Sequence, residues 1–87
     1  MDPDLLQIYA NPAGQETRVN YLVTDPGDIE VLLFSVSGAL IKRLVKSSHA
    51  PGEYSVRVDT GGMAKGVYWC VLQTGNRRLA VRKMVVM

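Results

Sequence analysis

No long stretch of this chain repeats an apolar residue every three or four positions. Its apolar residues come instead in short alternating runs, each ended by glycine, proline, asparagine or aspartate. A period of two marks strands with one buried face. The chain is therefore predicted to be all-β, with strands at roughly 8–12-residue spacing. Its 87 residues suffice for one domain and one core. At 47% hydrophobic it is too apolar for a disordered chain, and its runs are too interrupted for a membrane span.

Leu5 to Ala10 forms a first short strand, stopped by Asn11-Pro12-Ala13-Gly14. Glu16 to Thr24 is a second, with Thr17, Val19, Tyr21 and Val23 on one face and Arg18 and Asn20 on the other. Asp25-Pro26-Gly27-Asp28 reads as a tight turn, with Gly27 suited to positive φ. Ile29 to Val36 is a central strand, apolar on both sides: Ile29, Val31 and Leu33 inward, Leu32 and Phe34 outward. Ser37-Gly38 closes a hairpin into Ala39 to Lys46. Ser47 to Gly52 reads as a polar loop, followed by a strand from Glu53 to Asp59 with Tyr54, Val56 and Val58 inward. Thr60 to Gly66 is a glycine-rich connection with room for one helical turn at Met63-Ala64-Lys65. Val67 to Thr74 carries Tyr68, Cys70 and Leu72 on one face and Val67, Trp69 and Val71 on the other. Gly75-Asn76 turns into the last strand, Arg77 to Val86.

About seven antiparallel strands in so short a chain close as a small barrel or pack as a two-sheet sandwich. The connections at 47–52 and 60–66 suit crossings between sheets and favour the sandwich. The whole of 1–87 is expected to be one domain, with residues 1–6 leading into it.

The chemistry available is limited. Cys70 is the sole cysteine and His49 the sole histidine, so no internal disulfide, zinc cluster or two-histidine site is expected. Cys70, mid-strand between Trp69 and Val71, reads as a buried, inert thiol. His49 reads as a surface residue of a polar loop. Asp25 and Asp28 flank a turn without enough ligands for a hard cation. Gly61-Gly62 and Gly66 lack the lysine and hydroxyl residue of a phosphate loop. Ser35 and Ser37 have no base nearby. No catalytic constellation, metal or cofactor is expected, and the chain reads as a binding or structural module rather than an enzyme.

The net charge of +2 hides an asymmetry. Residues 1–40 set Arg18 against Asp2, Asp4, Glu16, Asp25, Asp28 and Glu30, a net of −5. Residues 41–87 set nine cations against Glu53 and Asp59, a net of +7. Either the halves neutralise each other across strands, or the bases form a one-sided patch for an anionic partner. Nucleic acid is not expected, because no aromatic stacking platform accompanies the bases. The acidic N-terminus has no signal-peptide pattern. The chain is therefore expected to be cytosolic, or part of a longer protein whose export signal lies elsewhere.

Five segments, in order, resemble a known family. Ile8-Tyr9-Ala10-Asn11-Pro12-Ala13 resembles the YPNPA opening of the type A C-terminal sorting domain of Bacteroidetes type IX secretion systems. Val31 to Gly38 resembles its L-Y-D-x-x-G hairpin, and Gly52-Glu53-Tyr54 its following loop-to-strand passage. Gly66-Val67-Tyr68-Trp69 resembles its G-V-Y-F segment, and Lys83-Met84-Val85-Val86 its terminal K-L-V-V. Ala10 stands where the family has proline, Ser35 where it has aspartate and Ala39 where it has arginine.

The resemblance implies an immunoglobulin-like sandwich at the end of an exported cargo protein. It implies recognition by the outer-membrane secretion machinery after passage through the periplasm, and removal by a sortase-like peptidase. The cargo would be secreted or placed on the cell surface. It places Lys83, Val85 and Val86 in the terminal signal strand. It gives Asn11, Pro12, Gly38, Gly66 and Tyr68 structural roles. The terminal strand, rich in bases, is also where a dimer or a partner strand would add. The alternative is an immunoglobulin-like or fibronectin-like accessory module, akin to the sandwich of the flagellar hook-capping protein. Such a module would bind a neighbouring protein or a glycan through an outward patch of Leu32, Phe34 and Trp69.

Overall fold

The computed structural model describes residues 4–9 and 16–87. Within them lie seven strands: β1 (Leu6–Tyr9), β2 (Glu16–Val23), β3 (Gly27–Ser35), β4 (Leu40–His49), β5 (Gly52–Asp59), β6 (Gly66–Thr74) and β7 (Arg77–Val86). Every pairing is antiparallel. One sheet has the order β1-β2-β5 and the other β4-β3-β6-β7, packed as the expected sandwich. The order is that of an immunoglobulin constant-type domain with one change: the fourth strand has moved to the second sheet.

The two-residue period decides what is buried. Val19, Tyr21 and Val23 from β2 meet Ile29, Val31 and Leu33 from β3. Cys70 and Leu72 from β6, with Met84 and Val86 from β7, complete the core. Leu6 of β1 is fully buried beside them. Thr17, on the same face of β2, sends its hydroxyl to the Tyr9 carbonyl, which satisfies a buried polar group.

Three connections differ from the sequence expectation. β3 already begins at Gly27, so it offers partners to Ser47, Ser48 and His49. β4 therefore runs through His49, and only Ala50-Pro51 links it to β5. For the same reason Asp25 to Asp28 is not a tight turn with a positive-φ glycine. Gly27 is a strand residue, and Thr24 to Pro26 carries the chain from one sheet to the other. Residues 63–65 form no helical turn; the connection turns at Gly61-Gly62, with the Met63 amide donating to the Thr60 carbonyl at 3.1 Å. The β3–β4 and β6–β7 hairpins stand as expected, with Gly38 at φ +92° and Gly75 at φ +56°.

Two tyrosines fasten the crossings. The Tyr68 hydroxyl donates to the Ala64 carbonyl at 2.6 Å, back over the connection from β5 to β6. This is the tyrosine corner of immunoglobulin-type sandwiches. Tyr54 repeats the device on the crossing from β4, donating to the Ala50 carbonyl at 2.6 Å.

Candidate sorting surface

β7 lies at the edge of the four-stranded sheet, and its alternation divides the residues assigned to the signal strand. Met84 pairs with Tyr68 and Val86 with Gly66, and both side chains are buried. Lys83 and Val85 stand on the opposite, outer face, opposite Trp69 and Val67. Gly66 starts β6 at φ +146°, and Gly38 serves the β3–β4 hairpin. Asn11 and Pro12 lie outside the described residues. The structure thus places Lys83, Val85, Gly66 and Tyr68 around one end of the β6–β7 pair. Val86 contributes from beneath, and Gly38 belongs to the neighbouring hairpin.

The sandwich has two unlike outer faces. On the β1-β2-β5 sheet the outward residues are mostly polar, as in the row Gln7, Asn20 and Ser55, with Leu22 and the exposed Tyr9 as exceptions. On the other sheet, cross-strand rows run Leu40, Phe34, Trp69, Lys83 and Arg43, Leu32, Val71, Val81. Leu32 and Val71 point outward as expected, yet are only 5% and 2% exposed because their neighbours cover them. Leu40, Trp69 and Val81 remain open to solvent.

Part of the charge asymmetry is taken up by pairing between the halves. Arg43 meets Glu30 at 3.3 Å, Arg57 meets Glu16 at 3.3 Å and Arg82 meets Asp4 at 2.8 Å. Each joins an acid of the first half to a base of the second. Hydrogen bonds from Gln7 and then Arg82 hold the Asp4 carboxyl below its usual range. The Arg82 pair also ties β7 to the segment before β1, closing one side of the sandwich.

Sequence reading missed one cluster. His49 is not a lone surface residue of a loop. Its ring packs edge-on to Tyr54, with centroids 4.5 Å apart, and hydrogen-bonds the Tyr21 hydroxyl. The only sequence signal was the inward period of Tyr21 and Tyr54; nothing local tied His49 to them. Burial, and then Tyr54, pushes the Tyr21 phenol upward. Cys70 is fully buried as expected, and burial pushes its thiol up to about 12, so it supplies no nucleophile near neutrality. Among the described residues no three acids, histidines or cysteines group as a metal site, and no helix is long and apolar enough to cross a membrane.

This geometry defines a small immunoglobulin-type β-sandwich. The chain belongs to the secretion system C-terminal sorting domain family, whose model it matches over residues 7–87. It is a sorting domain of the type IX secretion system, directing secretion of its cargo across the outer membrane. The family is one of sorting signals, not of catalysts, and its role implies interaction with the secretion machinery. No curated protein and no solved structure matches the chain.

Proposed function

We propose that the secretion machinery recognises the outer side of the β7 terminus through Lys83 and Val85, with Val86 anchoring that segment from the core. The observation that carries this reading is the alternation itself: Met84 and Val86 are 0% and 3% exposed, while Lys83 and Val85 stand on the outer face. The buried pair fixes the strand, so a partner meets a rigid surface and need not order a tail. After passage, a sortase-like peptidase cuts in the segment before the sandwich and the cargo reaches the medium or the cell surface. Asn11 and Pro12 follow β1 in the chain, so the folded unit begins before them, and Gly38, Gly66 and Tyr68 maintain it.

Deleting Lys83 to Met87 is a poor test, because it strips Met84 and Val86 from the core. Point substitutions separate sorting from folding. Residues 1–87 are fused to a Sec-exported fluorescent reporter in hosts with and without the type IX translocon. Export that needs the translocon, and falls severalfold with Lys83→Glu or Val85→Ser in a folded domain, is the expected result. Unchanged export of both variants refutes the residue assignment.

A further inference from the structure

We infer that the outer face of the β4-β3-β6-β7 sheet is a docking face for a protein surface with an apolar centre and a carboxylate border. This rests on the sorting reading, and names the chemistry of the machinery's side of the contact. A sheet face turned to water is ordinarily polar, and the outer face of the three-stranded sheet follows that rule but for Tyr9 and Leu22. The other sheet does not. Phe34, Trp69 and Leu40 adjoin across strands, with Leu32, Val71 and Val81 in the next row and Val67 and Val85 beyond. Trp69 is 38% exposed, Val81 37% and Leu40 49%. A contiguous apolar face of this kind marks an interaction site.

Charge selects the occupant. Outward cations flank the apolar centre on both edge strands: Lys46 on β4 beside Arg43, which is paired with Glu30, and Arg78 and Lys83 on β7. The face carries two acids, Asp28 and Glu30, and Glu30 is engaged by Arg43 and by Gln73 at 3.4 Å. A second copy does not fit. Face to face, it would set cations against cations. Against the other outer face, it would meet the polar rows of β1, β2 and β5. A lipid surface fits less well, because Leu32 and Val71 at the centre are already covered and leave little apolar area to insert. A partner with carboxylates around an apolar patch satisfies both the centre and the rim. Docking is then across the face, not by strand addition at the β7 edge.

The test uses the same reporter fusion in a host with the translocon. A photo-cross-linking phenylalanine analogue is placed at position 34 or 69, and at position 20 or 55 on the polar face. Adducts to a translocon subunit are expected from 34 and 69 and not from 20 or 55, with the cross-linked peptide lying among acidic residues. The paired reversal Lys46→Glu with Arg78→Glu is expected to lower export at least tenfold. Asn20→Asp with Ser55→Asp is expected to leave it unchanged. Resistance of the sandwich segment to limited proteolysis reports that each variant remains folded. Export of the folded reversal at the wild-type rate overturns the proposal, as do equal adducts from both faces or adducts only to lipid or a second copy. A wild-type fusion kept in the periplasm of both hosts instead overturns the sorting reading on which the proposal rests.

Discussion

The Tyr21 hydroxyl donates a hydrogen bond to His49 Nε2 across 2.9 Å, joining β2 of one sheet to the last residue of β4 in the other. His49 Nδ1 lies 3.0 Å from the Ser47 carbonyl, which can only accept. The ring proton therefore sits on Nδ1, and Nε2 is the acceptor for the phenol. Tyr54 stacks on Tyr21 with centroids 5.5 Å apart and edges against His49, so three rings pin the crossing between β4 and β5. Tyr21→Phe removes one hydrogen bond and is expected to cost about 1 kcal/mol. His49→Ala also removes the ring contacts and leaves the phenol without its acceptor, at about 2 kcal/mol. Urea midpoints with an unchanged denaturant slope measure both, and a double-mutant cycle gives their coupling.

Alkaline pH is expected to loosen the domain through Cys70 and Tyr21. Burial raises the Cys70 thiol from an ordinary 9.0 to about 12. The stabilisation is complete below pH 9 and is lost as pH rises toward 12, because the unfolded chain gives up the proton first. Tyr21 acts in the same direction above its ordinary 10.0. Unfolding curves between pH 8 and 12 should show stability falling. Cys70→Ala should flatten that fall, and an unaltered slope would contradict the assignment. Alkylation of Cys70 at pH 8 should track global unfolding.

Asp4 runs the opposite way. Its carboxyl is held low by Gln7 and then Arg82, so its contribution is present above an ordinary 3.8 and is lost as pH falls. In a carbon-detected titration, Gln7→Ala and Arg82→Ala should each move the Asp4 midpoint up. A midpoint unmoved by either would deny the contact between β7 and the segment before β1.

Neighbouring positions on β7 should behave as opposites. Met84→Ala empties a fully buried site and is expected to cost about 2–5 kcal/mol. Lys83→Ala, on the exposed outer face, should change stability by no more than about 0.5 kcal/mol. Thermal unfolding of the pair checks this directly. A large loss at Lys83 would give that residue a structural role rather than a recognition role.

The hairpin at Gly38 gives a backbone test. Its φ of +92° is one that a side chain resists, although nothing lies within 4 Å of an added Cβ. Gly38→Ala should therefore cost about 1 kcal/mol through backbone strain alone. A neutral result would mean that the hairpin relaxes to another turn.

The inward residues of β2, β3 and β6 were legible because a strand with one buried face must alternate, and alternation is written in the chain. Gly38 and Gly75 were legible because their turns need positive φ. The boundaries at Gly27 and His49 were not, since each strand end exists only because the other offers it a ladder partner. The same limit hid the role of His49, whose partners lie 28 positions back at Tyr21 and across a sheet at Tyr54.

The sequence by itself determined the all-β class, the buried period, the inert Cys70 and the sorting family, because these rest on local pattern and on motifs in order. The tertiary structure alone decided which strands share a sheet and that Lys83 and Val85 face outward beside Trp69. It alone joined the acids of the first half to bases of the second, and gathered one apolar face between basic edges. Those relations depend on register and on contacts between residues far apart in the chain, which no local pattern encodes.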